Sequence, residues 1–213
     1  MPGLSPSLIN FPKKVEAHPN LFTHSRVIIS GMSDTEELKR ENWWVLRAQS
    51  GDEEALNELL KAIQEPLYRY IFNLVREQHL AEDILQEVFI RIYRKLGWLR
   101  EPRVFRSWAY QIATRETFRR LKRERRWTDQ IRDEAALNTL PALPPREEFA
   151  AELIERLPQL VTNLSPASRA VIMLYYLHEM SLDETAAVLG IPIGTVKSRL
   201  AYGLESLRQQ FRK

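Results

Sequence analysis

The stretch SLDETAAVLGIPIGTVKSRLAYGLESL, residues 181–207, divides into a short helix, a tight turn and a longer helix. Ser181 and Glu184 have the spacing of a capping box, in which each satisfies a backbone donor left orphaned at a helix start. Ala186 and Leu189 give that helix an inward face, Gly190 supplies a left-handed C-terminal turn, and Ile191 plugs the angle that follows. Pro192, Gly194 and Thr195 open the second helix. Its inner face is Val196, Leu200, Leu204 and Leu207, which leaves Thr195, Lys197, Ser198, Arg199, Ala201 and Tyr202 exposed near its N-terminus. This is the outline of a helix-turn-helix, whose second helix enters a major groove. Lys and Arg reach phosphate or a guanine edge, and hydroxyls serve either. An ordinary helical hairpin with a polar face is the simpler reading, but the cap, the glycine turn and the basic face all agree with DNA contact.

Outward from this stretch, nearly every segment after residue 34 repeats apolar residues at three-and-four spacing, and strand-like alternation is missing. The predicted fold is all-α. Helices are expected over 35–49, 52–77, 80–97 and 104–126, then 149–163, 166–178, 182–189 and 193–210. Between the two sets, Pro141, Pro144 and Pro145 stand among polar residues and predict a flexible, extended linker. The expected architecture is two helical domains over 34–126 and 149–213, joined by a linker over 127–148 and moving independently unless a partner clamps them. Residues 1–33, with Pro2, Pro6, Pro12 and Pro19 and no sustained period, read as a disordered leader or a misassigned start, with Met32 as the alternative beginning.

Composition narrows the chemistry. The 213 residues are 44% hydrophobic and 28% charged, enough to fill a core, so wholesale disorder is excluded. With no Cys there are no disulfides, thiolate metal sites or cysteine nucleophiles, which suits a reducing cytoplasm. The longest apolar run, Ala170 to Leu177, is far short of the roughly 20 residues a bilayer span needs. His79 and Glu82 have one-turn spacing, but four His and no Cys make a metal shell hard to assemble. Phosphate-binding glycine loops and nucleophile elbows are missing from the sequence. Neither cofactor, metal nor catalytic residue is expected.

The net charge of +3 hides an alternation: acid over 34–65, base over 115–126, acid again over 129–155 and base from 191 onward. Two separated basic segments suggest two contacts with a polyanion such as nucleic acid. In the helix expected over 80–97, Ile84, Leu85, Val88, Phe89, Ile92, Tyr93 and Leu96 form an inner set, while Asp83, Gln86, Glu87 and Arg91 lie outside. Asp83 and Glu87 are four apart with Gln86 between them, an acidic patch able to dock basic protein. In the next helix Gln111, Arg115, Phe118, Lys122 and Arg125 share a row. That places an exposed ring among cations, as a single strand of nucleic acid requires; Trp108, Ile112 and Leu121 oppose it as core.

Three ordered segments, AEDILQEVFIRIY from Ala81, FRSWAYQIA from Phe105 and Ser181 through Leu200, together resemble the extracytoplasmic-function (ECF) group of bacterial RNA polymerase sigma factors. The resemblance covers roughly residues 45–210. It implies a first domain that holds core polymerase through Asp83, Gln86 and Glu87 and opens the minus-ten promoter element through Arg115, Phe118, Arg119 and Lys122. It implies a second domain that reads the minus-thirty-five element through Thr195, Lys197, Ser198, Arg199 and Tyr202. Core RNA polymerase and promoter DNA are the implied partners, an anti-sigma factor is allowed as a third, and the implied setting is cytoplasmic, without membrane insertion. Arg115 stands where family members often carry Asn, and Tyr202 and Leu204 where many carry Arg, so weaker upstream phosphate binding is expected. A response regulator sharing the helix-turn-helix needs an α/β receiver that 34–126 does not predict, and a protein-only adaptor needs no basic helices.

Overall fold

The structure, a computed structural model, describes residues 34–124 and 157–211. The leader and the linker lie outside them. Among the described residues the secondary structure is helical, with no strand.

Four helices build the first unit: α1 (Asp34–Gln49), α2 (Glu53–Val75), α3 (Gln78–Lys95) and α4 (Phe105–Arg123). α2 starts where Asp52 accepts a hydrogen bond from the Ala55 amide at 2.9 Å, an N-cap beside two acidic first-turn residues. It ends at Arg76, whose φ of 60° puts it in the left-handed region. The inner set expected for α3 is buried apart from half-buried Tyr93. Opposite it, Ala109, Ile112, Ala113 and Leu121 of α4 are buried. Glu41 of α1 is buried as well, and accepts from Arg106 Nε of α4 at 2.6 Å. Burial raises its carboxyl pKa, and the guanidinium opposes that rise.

The second unit contains α5 (Pro166–Ile172), a π-helical turn (Met173–Leu177), α6 (Leu182–Leu189) and α7 (Ile193–Phe211). The expected helix over 166–178 thus finishes as a π turn, and Glu179 beyond it has a φ of 53°. Ser165 caps α5, with Pro166 at its first position. In α6 both halves of the Ser181–Glu184 capping box form, and Gly190 follows at φ 65°. The fully buried residues of α6 are Thr185 and Val188; Ala186 and Leu189, expected as its inward face, are only half-buried. Val196, Leu200, Leu204 and Leu207 of α7 are buried as expected. Gly203 meets α5 so closely that a Cβ there would lie 2.4 Å from Ile172 Cδ1.

The two units are in contact in this structure. α4 packs on α6, and α2 on α5. Arg169 of α5, itself buried, carries much of this contact. Its Nε donates to the Val161 carbonyl and one terminal nitrogen to Thr162 and Leu164, all in its own unit. The other terminal nitrogen donates to the Asn73 and Leu74 carbonyls at 2.8 and 3.2 Å. Those carbonyls belong to the last turn of α2, which has no helical donors of its own and carries the negative end of the helix dipole. All five guanidinium donors are thereby used. Burial, with Arg76 nearby, pulls this guanidinium down to about 10, still charged at neutral pH.

Candidate functional site

Three charged surfaces result. On α3, Asp83 and Gln86 are exposed and Glu87 is half-buried, on one wall of a groove whose other wall is Glu116, Arg119, Arg120 and Arg123 of α4. The structure therefore brings the acidic patch against the basic helix. Arg120 lies 3.9 Å from Asp83, and Arg91 pairs with Glu87 at 3.1 Å and with Glu116 at 2.7 Å. Glu116, buried, also holds Arg119. Arg119 is thus tied to the α3 side of α4 rather than aligned with the other residues expected at the minus-ten strand.

Along α4 itself, Arg115 and Lys122 are exposed. Phe118 is not: it is half-buried and packs against the core, which corrects the expected exposed ring. Earlier on the same row, Gln111 Nε2 donates to the Ala187 carbonyl of α6 at 2.9 Å. One position earlier, the Tyr110 hydroxyl bonds His178 Nδ1 at 2.8 Å, and their ring centroids are 4.6 Å apart. Tyr70 stands edge-on to both rings. Burial, with Arg69 a lesser cause, holds the His178 imidazole down to about 3, so it is neutral. Burial also pushes the Tyr70 and Tyr110 phenols well above their ordinary range.

An exposed ring does exist nearby. Trp98, in the turn Leu96–Trp98 that leaves α3, is 82% exposed. Gln49 of α1 donates to the Leu96 and Leu99 carbonyls at 2.9 and 2.7 Å. With Leu96 and Leu99 buried, that amide pins the backbone and holds the indole outward. Arg94, Lys95 and Arg100 around it are exposed. The sequence signal was a Trp after Gly97 that falls off the inner face of α3, between cations.

On α7, Lys197 is exposed, and Thr195, Ser198, Arg199 and Tyr202 are half-buried. Ala201, expected outside, is buried at 8% exposure, because α7 turns that side toward the core. Leu204 is buried too, so its apolar identity removes no phosphate contact. Ser198 Oγ donates to the Gly194 carbonyl at 2.6 Å. The helix opens on Pro192, whose carbonyl takes the Thr195 and Val196 amides.

Comparison with known families agrees with this division. The family described as Sigma-70 region 2 matches residues 59–127, and that described as Sigma-70, region 4 matches residues 161–209. The ECF RNA polymerase sigma factor SigW of Bacillus subtilis is 30% identical over 177 residues, 79% of this chain and 95% of its own length. The chain belongs to the ECF sigma factors. SigE of Mycolicibacterium smegmatis is 32% identical, over 77% of this sigma factor and 65% of its own chain. Among solved structures, CnrH in complex with the cytosolic domain of CnrY shares the fold, with a TM-score of 0.59 at 22% identity over 81% of this chain and 97% of that one. RpoE of Bartonella quintana, solved with the anti-sigma factor NepR, gives 0.55 at 22% identity over 73% and 95%. This sigma factor is a transcription initiation factor that directs core RNA polymerase to promoters. Among the described residues no helix is long and apolar enough to cross a membrane.

Proposed function

We propose that this sigma factor divides its work between a unit over 34–126, which docks core polymerase and opens the minus-ten element, and a unit over 149–213, which reads the minus-thirty-five element. The observation that carries this reading is the separation of one acidic and two basic surfaces on two units that match different sigma regions. Asp83, Gln86 and Glu87 meet polymerase. Their pairs with Arg120 and Arg91 are partly exposed, and such pairs contribute about 0 to 1 kcal/mol, so a basic partner surface displaces them readily. Arg115 and Lys122 track the displaced strand beside Phe118, Arg119 joins them once it leaves Glu116, and Trp98 offers the face on which an unpaired base stacks. Stacking contributes about 1 to 3 kcal/mol per base, comparable with the few kcal/mol needed to unstack one. Thr195, Lys197, Ser198, Arg199 and Tyr202 enter the upstream duplex.

On this reading the protein performs no covalent chemistry of its own and works in the cytoplasm with polymerase. CnrH and the Bartonella RpoE were each solved with a bound protein partner, in the second case a named anti-sigma factor, which supports an anti-sigma factor for this chain as well. Run-off transcription with purified core polymerase tests the whole. Asp83→Lys with Glu87→Lys is expected to abolish core pull-down at unchanged helical content; undiminished capture overturns the placement of that surface.

A further inference from the structure

Five glycines stand among the described residues, and the fold accounts for three of them. Gly51 and Gly190 have φ of 95° and 65°, a backbone that a Cβ resists. At Gly203 a Cβ would collide with Ile172 of α5. Gly97 and Gly194 have neither reason: neither has a positive φ, and a Cβ on either would meet nothing within 4 Å. Each stands beside a large apolar side chain that faces solvent, Gly97 beside Trp98 and Gly194 beside Ile193. Ile193, 38% exposed, is the one such side chain of the second unit among the described residues.

We propose that the first turn of α7 reads a thymine in the upstream element: Gly194 lets the helix backbone come down on the duplex, and Ile193 lays its side chain against the C5 methyl group of that base. This rests on the reading of α7 as the helix that enters the upstream duplex. A glycine in a helix is less favourable than alanine, because it gives up more backbone freedom on folding. Where neither φ nor packing asks for it, the bare Cα serves something outside the molecule, and close approach of backbone to a ligand is what it permits. The residues of a helix-turn-helix that contact base edges are those at the N-terminus of its second helix, and Gly194 is the second residue of α7.

Ile193 is held in place on both sides. The Pro192 carbonyl before it accepts the Thr195 and Val196 amides at 2.9 and 3.1 Å, and the Ile191 amide donates to the Ala186 carbonyl at 3.2 Å. Val196, on the inner side of the same turn, is fully buried. A β-branched side chain has one main χ1 rotamer in a helix, so Ile193 is a stiff probe. Lys197, four residues on, shares its face and is exposed, at hand for a phosphate beside the same base. The apolar feature of base edges in the major groove is the thymine methyl. An isoleucine at the tip of the reading helix therefore has one partner there of its own kind, and both lose water when they meet.

Duplexes randomised over about one helical turn, roughly ten base pairs, then selected by the full chain with core polymerase and sequenced, give the preferred upstream sequence. Wild type is expected to fix thymine at one or more positions, and Ile193→Ala to relax one of them while keeping the rest. Deoxyuridine in place of that thymine removes only the methyl, and should weaken wild-type binding about four-fold, the worth of one buried methyl. In Ile193→Ala the same replacement should change nothing; in Ile193→Val the response should remain. Gly194→Ala should keep or raise the thermal midpoint, since alanine favours a helix, yet bind the selected duplex about ten-fold more weakly, because the added methyl crowds the contact. An equal deoxyuridine loss in wild type and Ile193→Ala overturns the methyl contact, as does a selected sequence without thymine. Undiminished binding by Gly194→Ala overturns the close approach. A preference that Lys197→Ala relaxes and Ile193→Ala does not shows that α7 reads DNA without Ile193. If wild type selects no sequence, the reading of α7 itself fails.

Discussion

The α7 surface and the α4 surface are both basic helices, yet they are built by opposite means. Everything that shapes the first lies within a few residues: Ser181 with Glu184, the Gly190 turn, Pro192 ahead of the Thr195 amide. The second is shaped by groups far away in the chain. Gln49 fixes the turn that holds Trp98 out, 47 and 50 residues from its partners; Ala187 occupies Gln111 from 76 residues on; His178 receives Tyr110 across 68. A locally built surface keeps its shape wherever its domain goes. One built by distant contacts depends on those contacts for its shape.

The sharpest way to break this contrast is at Arg169. Arg169→Met leaves five carbonyls facing a thioether, at about 1 to 3 kcal/mol for each group left unsatisfied, so a loss of at least about 3 kcal/mol is expected in urea denaturation. Arg169→Lys should not restore it, because an ammonium has three donors and no planar fork. Stability within about 1 kcal/mol of wild type in Arg169→Met would show that water reaches those carbonyls and that the cap is not structural.

A smaller effect should follow pH. Unfolding returns His178 toward its ordinary pKa of 6.5, while the folded form holds it at about 3. Above pH 6.5 the ring is neutral in both forms and its contribution to stability is at full strength. As pH falls from 6.5 toward 3, the unfolded form takes up a proton that the folded form refuses, so stability weakens by up to about 1.4 kcal/mol per unit. The groups facing the ring are Tyr70 and Arg69 of α2 and Tyr110 of α4. Both phenols are raised by burial and do not titrate in this range. Between pH 7 and pH 5 about 2 kcal/mol of stability should disappear, read as a fall in the urea midpoint. An equal response in His178→Phe would assign the effect to another group.

How far each surface was legible follows from the same contrast. The fold class and helix positions came from short-range periodicity, and the buried rows of α3 and α7 matched it with the exception of half-buried Tyr93. The capping box and glycine turn were legible because both partners sit within one turn. What failed was what depends on a neighbour. Phe118 looked exposed because its row is basic, but its ring packs against the core. Ala201 sits where a helical projection leaves it outside, but it is buried in the folded unit, where α7 packs on α5. Arg169 stands in a nearly apolar run, where nothing marks it as a cap for a helix ending 94 residues earlier. Trp98 carried a local signal, a ring among cations off the apolar face, but its outward hold needs Gln49.

The smallest expected effect separates two neighbours on α7 that share a segment but differ in how their donors are used. Lys197 is exposed, and its ammonium can neutralise a phosphate or reach a guanine edge. Lys197→Ala should therefore cost about 1 to 3 kcal/mol if it reads a base, or lower the salt slope by about one if it holds phosphate. Ser198 gives its one proton to the Gly194 carbonyl at 2.6 Å, an intrahelical bond of the kind that ties a hydroxyl back to its own turn. Its lone pairs remain, but acceptors face repulsion from phosphate and find donors only on C or A edges. Ser198→Ala should then change binding to the upstream duplex by less than about 0.5 kcal/mol, within the range of ordinary surface substitutions. Gel-shift titration of the isolated upstream element measures both. A Ser198→Ala loss as large as that of Lys197→Ala would mean that the hydroxyl rotates away from Gly194 to meet DNA, and that even this locally built surface is remade by its partner.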